Sequence, residues 1–328
     1  MSTFTSDDVF NFLTSKSTTQ QTDATHTSFK GCDRYARGTG KWSIPPDGYG
    51  SLFRSIEYLW QEACNDHKKE FAYIIERKQE VHRLVQDIDI MGNLAEEWCM
   101  ILVQELGRVL GEVYPQHNLE CVVFPSSGYS LKHKAYRTSI HVCWNIGVDK
   151  DRSLGIYHKM LSAFEGAREG KIPELGRVLS ELDPKNTWAS VLDEHAHRIG
   201  TGMRMPYCDK WNKEGKQAER RPKVPKGLFA SIDGKLTQTV AKEALSVVAW
   251  LERGSLNTIQ ELTEPCVLRE PPAIAHRKRQ QGQCPIADDS ECLPRNRDPQ
   301  GNGAYWRQQR YSHPGHCQVP CFPLVPFR

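Results

Sequence analysis

The chain has 328 residues, of which 38% are hydrophobic and 25% charged. That length and balance exclude a fibrous or wholly disordered protein, because a chain this size buries a substantial core. A formal net charge of +3 is too mild to require a nucleic-acid partner, though it permits one.

No run approaches the ~18 apolar residues that a membrane span needs, and the opening MSTFTSDDVF lacks a charged-then-apolar signal pattern. The eleven cysteines are an odd number and most lie inside apolar segments. Reduced core thiols of an intracellular protein without a membrane partner are expected. Thirteen of the first 28 residues are Ser or Thr, and residues 1–28 read as a mobile leader around a short amphipathic stretch (Val9, Phe10, Leu13). GKWSIPPDGYGSLFRSIEYLW then reads as a proline turn followed by a helix over about 50–64.

FAYIIE (71–76) and HRLVQDIDI (82–90) read as strands parted by the charged turn RKQEV. A helix is expected from Leu94: Asn93 and Glu96 have capping-box spacing, and Trp98, Leu102, Leu106, Val109 and Val113 repeat until Pro115. LECVVF (119–124) and TSIHVCWNI (138–146) are further strands, then a helix near 154–164 and short strands near 189–192 and 202–207. LFASID (228–233) ends at an Asp-Gly turn, and a helix is expected over 239–251. Ten of the nineteen prolines fall after Arg253, where periodicity fades, so 254–328 reads as an irregular tail and 29–253 as the ordered domain.

Three constellations carry chemistry. In Val85-Gln86-Asp87-Ile88-Asp89-Ile90, strand geometry sets Asp87 and Asp89 on one face. Two carboxylates so close repel unless a cation lies between them, and hard oxygen ligands suit Mg²⁺ or Mn²⁺. The plainer alternative is two surface aspartates at a strand end, as Asp149-Lys150-Asp151 suggests for a polar loop. In the second constellation, alternation places Arg137, Ser139 and His141 on one face, a cation, a hydroxyl and an imidazole suited to phosphate. Lys132, His133 and Lys134 add to the basic character, and a core histidine beside a surface arginine is the alternative. The third is Asp193 at a strand end, followed by Arg204 in another strand and then Lys210: a further carboxylate and two cations, or ordinary loop and hairpin charges.

Taken in order, these motifs resemble the catalytic core of the archaeo-eukaryotic primase superfamily, and within it primase-polymerases and the primase half of primase–helicases from large DNA viruses. Asp87-Ile88-Asp89 resembles the first metal-binding motif, Ser139-Ile140-His141 the nucleotide-contacting Ser-x-His, and Asp193 the third metal-binding acid. Arg204 and Lys210 are similar to the pair that holds the triphosphate, and Arg137 stands at an often basic site. GKWSIP (40–45), a helix and a strand ending in Glu76 resemble the viral lead-in, so the likeness runs from about Gly40 to Ala249. Ala196 and His197 stand where the family often has an aromatic.

The resemblance implies an α+β fold, mixed β-sheets flanked by helices with an RRM-like palm element. It implies a template-directed nucleotidyltransferase, a DNA primase or primase-polymerase. Asp87, Asp89 and Asp193 would hold two Mg²⁺ or Mn²⁺ ions, and Arg137, Ser139, His141, Arg204 and Lys210 the nucleotide. Single-stranded DNA template and nucleoside triphosphates are the implied partners. No Walker-type GxxxxGK[ST] occurs, so a replicative helicase is expected on another chain. Two readings compete: a catalytically weak DNA-binding replication protein of the same fold, and a two-metal nuclease. In the tail, His316, Cys317 and Cys321 would serve zinc, but the spacings match no firm pattern and free thiols are favoured.

Overall fold

The computed structural model describes residues 4–28, 39–66, 69, 71–212, 217–219, 221–232 and 235–265. The tail from 266 onward, with His316, Cys317 and Cys321, lies outside the described residues. All five described cysteines are free thiols, four of them buried.

The helices are α1 (Ser6–Ser15), α2 (Tyr49–Asn65), α3 (Glu96–Val113), α4 (Lys150–Gly166), α5 (Lys171–Leu182), α6 (Trp188–Val191) and α7 (Val247–Gly254). A small sheet has the order β2 (Lys41–Trp42), β1 (His26–Ser28), β3 (Ile74–Arg77), β8 (Gly202–Arg204). A large sheet has the order β12 (Lys235–Ala241), β11 (Gly227–Ile232), β5 (Glu120–Pro125), β7 (Ala135–Val148), β4 (His82–Met91). A further strand, β6 (Gly128–Ser130), pairs with β7, and a two-stranded ribbon joins β9 (Trp211–Asn212) to β10 (Gln217–Ala218). The ladders are antiparallel, with one isolated parallel bridge between Gly92 and Arg137. This is an α+β fold of sheets flanked by helices, as expected.

Period-two alternation divides the core between the faces of the large sheet. Leu84, Ile88 and Ile90 of β4, with Ile140, Val142 and Trp144 of β7, pack against Leu102, Leu106 and Leu110 of α3 and Ile156 and Met160 of α4. Val85, Val122, Phe124 and Cys143 point to the other face, toward the small sheet, α2 and α7. Asp87 and Asp89 continue that second face beyond Val85, where the apolar packing gives out. Burying a residue such as Leu106 or Val142 contributes about 1.5–3 kcal/mol each.

Several expectations are corrected. Residues 6–28 are packed, not a free leader. Thr5 and Asp8 form a reciprocal capping box that starts α1, Val9 and Leu13 of α1 are fully buried, and β1 lies between β2 and β3. Ser/Thr-rich composition hid a cap and a strand. The Asn93–Glu96 box does not form: α3 begins after Ala95 without a side-chain cap, and the Leu94 amide donates to Thr138 Oγ1 at 2.9 Å. In place of a strand over 189–192, residues 188–191 are a helical turn, because Thr187 and Ser190 cap each other, and only Leu192 makes a bridge, to Ile88. The helix expected over 239–251 is split. Leu236 to Val240 continue the hairpin as β12, and Ser246, accepting from the Ala249 amide at 3.2 Å, starts α7. Helix α5 was missed altogether.

Packed chain also continues past Arg253. Glu76 accepts from Ser255 Oγ (2.7 Å) and from the amides of Leu256 (2.6 Å) and Asn257 (3.1 Å). Arg83 donates to the carbonyls of Ser255 (3.0 Å) and Trp144 (3.2 Å). Thr263 pairs with Gly147 through N–H···O at 2.9 Å in each direction, its hydroxyl accepting one of them. Any Cβ at Gly147 would run into the Glu261 carbonyl, so glycine permits this close approach.

Candidate active site

The register between β4 and β7 sets Asp87 opposite His141, Asp89 opposite Ser139 and Met91 opposite Arg137. Directly opposed residues share a face, so two motifs some fifty positions apart become one surface. His141 Nε2 lies 3.3 Å from Asp87 Oδ1, and Arg137 Nη2 lies 3.3 Å from Asp89 Oδ2. The Asp87–His141 contact makes no hydrogen bond: Asp87 Oδ1 and His141 Nδ1 are both buried without a partner.

A cavity of about 270 Å³ opens over this surface, between the two sheets. Asp87, Asp89, Ser139, His141, Arg204 and Lys210 all line it. Arg204 reaches it from β8, held by Nη1 on the Arg221 carbonyl (2.6 Å) and Nη2 on Ser126 Oγ. Lys210 follows Asp209, whose Oδ1 accepts from the amides of Lys210 (2.7 Å) and Arg221 (2.6 Å). Tyr73, Ile75, Met203 and Trp211 form an apolar wall, with Tyr73 and Trp211 edge to face at 5.3 Å.

Asp193 is placed differently. Leu192 bridges Ile88, and the Asp193 amide donates to the Asp87 carbonyl at 3.0 Å, so the third acid adjoins the first through the backbone. Its carboxylate caps a turn by accepting from the His195 amide at 2.9 Å, and it does not line the cavity. Among the described residues no three His, Cys, Asp or Glu side chains are gathered as a metal-binding group. His197 does not line the cavity; it is bonded to Ser153 Oγ (3.0 Å), with its ring tilted against that of Tyr157 at 5.2 Å.

Electrostatics distinguish the members. Burial, then repulsion from Asp89 and Asp193, pushes Asp87 up to about 7. Burial, then the charges of Lys223, Arg204 and Lys210, holds His141 well below its ordinary value, so its imidazole is neutral. Burial also lowers Lys210 and Lys223.

Two cations escaped the sequence reading. Lys223 is buried, donates to the Arg204 carbonyl at 3.0 Å and lies 4.8 Å over the Phe124 ring. Its stretch, Arg221-Pro222-Lys223, is basic and holds a proline, which does not set it apart from a solvated lysine. Lys78 sits in the charged turn RKQEV but is buried with Nζ unpartnered. Burial lowers it to about 8 against the opposing pull of Asp87 and Asp193. Nothing in RKQEV marked one lysine as internal.

A family model described as the C962R protein N-terminal AEP domain, AEP being archaeo-eukaryotic primase, matches residues 25–219. That span is more than half of the chain and contains both acid-bearing segments, the Ser-x-His strand and the two cations. The chain belongs to the archaeo-eukaryotic primase family. No curated protein matches it. The matched span starts at the end of the segment expected to be a leader, in keeping with the packing of β1 into the small sheet. Membership places the protein among primase-polymerases, whose chemistry is of the nucleotidyltransferase type. Among the described residues no helix is long and apolar enough to cross a membrane.

Proposed function

We propose that this chain is a template-directed nucleotidyltransferase that joins nucleoside triphosphates on single-stranded DNA with two divalent metal ions. The observation that carries this reading is the β4–β7 register, which sets Asp87 and Asp89 beside His141 and Ser139 in a cavity shared with Arg204 and Lys210. The donor set fits a hard cation: Asp87 Oδ1 is buried without a hydrogen-bond donor, and burial, then repulsion from Asp89 and Asp193, raises its pKa. Asp87 and Asp89 would hold Mg²⁺ or Mn²⁺, with Asp193 as the third acid once its carboxylate turns from the His195 amide. Bound ions of this kind supply a more acidic attacking hydroxyl and offset charge on the phosphates.

The chain's own groups do the positioning. Lys210 and Arg204 offer cations to the triphosphate, and Ser139 and neutral His141 offer uncharged hydrogen-bonding groups beside it. Arg137 is free to exchange Asp89 for a phosphate oxygen. Because the phosphoryl group arrives activated, orientation and charge compensation are what the protein must provide. The wall of Tyr73 and Trp211 offers an apolar surface to ribose and base.

The test is incorporation of labelled nucleotide on primed and unprimed single-stranded DNA with Mg²⁺ or Mn²⁺. Wild type should incorporate, and Asp87→Ala or Asp89→Ala should abolish synthesis. Full activity in either variant overturns the assignment. Metal-dependent cutting without nucleotide supports the nuclease instead, and tight DNA binding without incorporation supports a non-catalytic replication protein.

A further inference from the structure

The ribbon β6–β7 carries side chains that the site does not use. Tyr129 pairs with Tyr136 across the ladder, so the two rings stand side by side on one face. They are 56% and 40% exposed, an aromatic pair left in water. The turn between the strands holds Lys132, His133 and Lys134, all exposed. Lys134 adopts φ 51, a conformation glycine or asparagine ordinarily fills, so a cation is kept there against a backbone cost. The field at the tip is positive: partial burial, then the charges of Arg137, Lys132 and Lys210, lower His133.

The tip is joined to the acids by two contacts. His133 Nε2 lies 3.2 Å from Arg137 Nη1, and Arg137 reaches Asp89 at 3.3 Å. Tyr136 also borders a cavity of about 560 Å³ on its own face, whose rim carries Glu96 and Glu243 as well as Lys226 and Lys242. Those charges balance, so the positive surface is the ribbon itself. Two tyrosines and a turn are far smaller than the ~800 Å² per side of a stable protein interface. They match single-stranded nucleic acid, whose every base offers a π face and whose every link carries a negative charge.

We infer that the β6–β7 ribbon grips single-stranded nucleic acid, with bases stacked on Tyr129 and Tyr136 and phosphates held by Lys132 and Lys134. Arg137 and the tyrosines project from opposite faces of the ribbon, so the held strand rounds one edge of it to reach Asp87 and Asp89. The role of that strand as template rests on the nucleotidyltransferase reading; the grip does not.

The test is fluorescence anisotropy of a labelled oligodeoxythymidylate with the full chain, alongside nucleotide KM. Tyr129→Ala/Tyr136→Ala should weaken binding roughly tenfold or more, and Tyr129→Phe/Tyr136→Phe should retain it, because stacking needs the ring alone. Lys132→Ala/Lys134→Ala should flatten the salt dependence by about 1.4 in log–log slope, two phosphate contacts on a single strand. Nucleotide KM should stay near wild type in the tyrosine variants. An affinity indifferent to the double alanine variant, or a wild-type chain that ignores the oligonucleotide, overturns the grip, the former being the result if the ribbon serves a protein partner. Wild type that binds the oligonucleotide through the tyrosines but incorporates nothing overturns the catalytic reading and leaves the grip standing.

Discussion

Replacing Glu76 by leucine should cost the full chain a large part of its stability. The carboxylate is 1% exposed and accepts four hydrogen bonds, from Tyr49 Oη (3.0 Å), Ser255 Oγ (2.7 Å) and the amides of Leu256 (2.6 Å) and Asn257 (3.1 Å). Leucine leaves four donors without an acceptor in a buried site. Each unsatisfied buried group costs about 1–3 kcal/mol, but the released segment regains some water, so a net loss of roughly 3–5 kcal/mol is expected. Against a total stability of about 5–15 kcal/mol that is severe. At about 2–4 °C per kcal/mol for a domain of this size, Tm should fall by roughly 6–20 °C. Urea unfolding at neutral pH measures the loss directly, and Glu76→Gln, which keeps one acceptor, should fall between. A change below about 1 kcal/mol would refute the reasoning and mean that packing of Leu256 alone secures residues 255–257.

Other expectations concern the site and the buried histidines. With Asp87 as a metal ligand, as proposed, binding should need its carboxylate, which is pushed up to about 7, so the apparent Kd for Mn²⁺, followed by calorimetry, should rise about tenfold per pH unit below that value; a flat profile would exclude Asp87 as a ligand. Lys210→Ala should raise the nucleotide KM roughly 10- to 100-fold while single-stranded DNA affinity changes little, and the reverse pattern would make Lys210 a template contact. Burial holds His26 and His82 at about 4 and His197 at about 3, below the ordinary 6.5. Between about 6.5 and 4 the unfolded chain takes up these protons and the folded one does not, so stability falls with pH by up to about 1.4 kcal/mol per unit for each histidine. Asp87 acts with the opposite sign over about 4 to 7, being protonated in the folded chain first, and offsets only one of the three. Equal urea midpoints at pH 5 and pH 7 would count against this.

The site was legible where chemistry lay on single strands. Period two alone puts Asp87 beside Asp89 and Ser139 beside His141, and the ladder needed only to set one strand against the other. Asp193 was legible as an acid but not in position, because mutual capping by Thr187 and Ser190 replaces the expected strand by a helical turn. Lys78 and Lys223 were illegible, since nothing local distinguishes a buried lysine from a solvated one in a charged or proline-rich stretch. The fold was read least well at its ends. Ser/Thr content and proline content report on average solvation, whereas α1 is held by one capping box and residues 255–257 by one carboxylate on a distant strand.

Glu76, fully buried, and Asp87, with its Oδ1 buried, show how an acid inside the fold declares its purpose. Both lie on strands that are consecutive in the sequence, each adjoins an isoleucine along the chain, and no periodicity tells them apart. Around Glu76 the fold supplies four donors, so the charge is spent on holding the chain together. Around Asp87 it supplies a neutral imidazole that makes no hydrogen bond, two further acids and an orphaned Oδ1, with Arg137 Nε and Lys78 Nζ also unpartnered nearby. Unsatisfied polar groups are costly in the folded state, and two of them on facing side chains of one cavity, Asp87 and His141, are the pattern of a site organised for a ligand it must receive. The two acids should therefore respond oppositely to the loss of charge. Asp87→Asn removes repulsion with Asp89 and Asp193, so it should leave urea stability unchanged or raised while nucleotide incorporation is lost; Glu76→Gln should lower stability and, in the fraction that remains folded, preserve incorporation. A destabilised Asp87→Asn that retains activity would reverse the assignment of the two carboxylates.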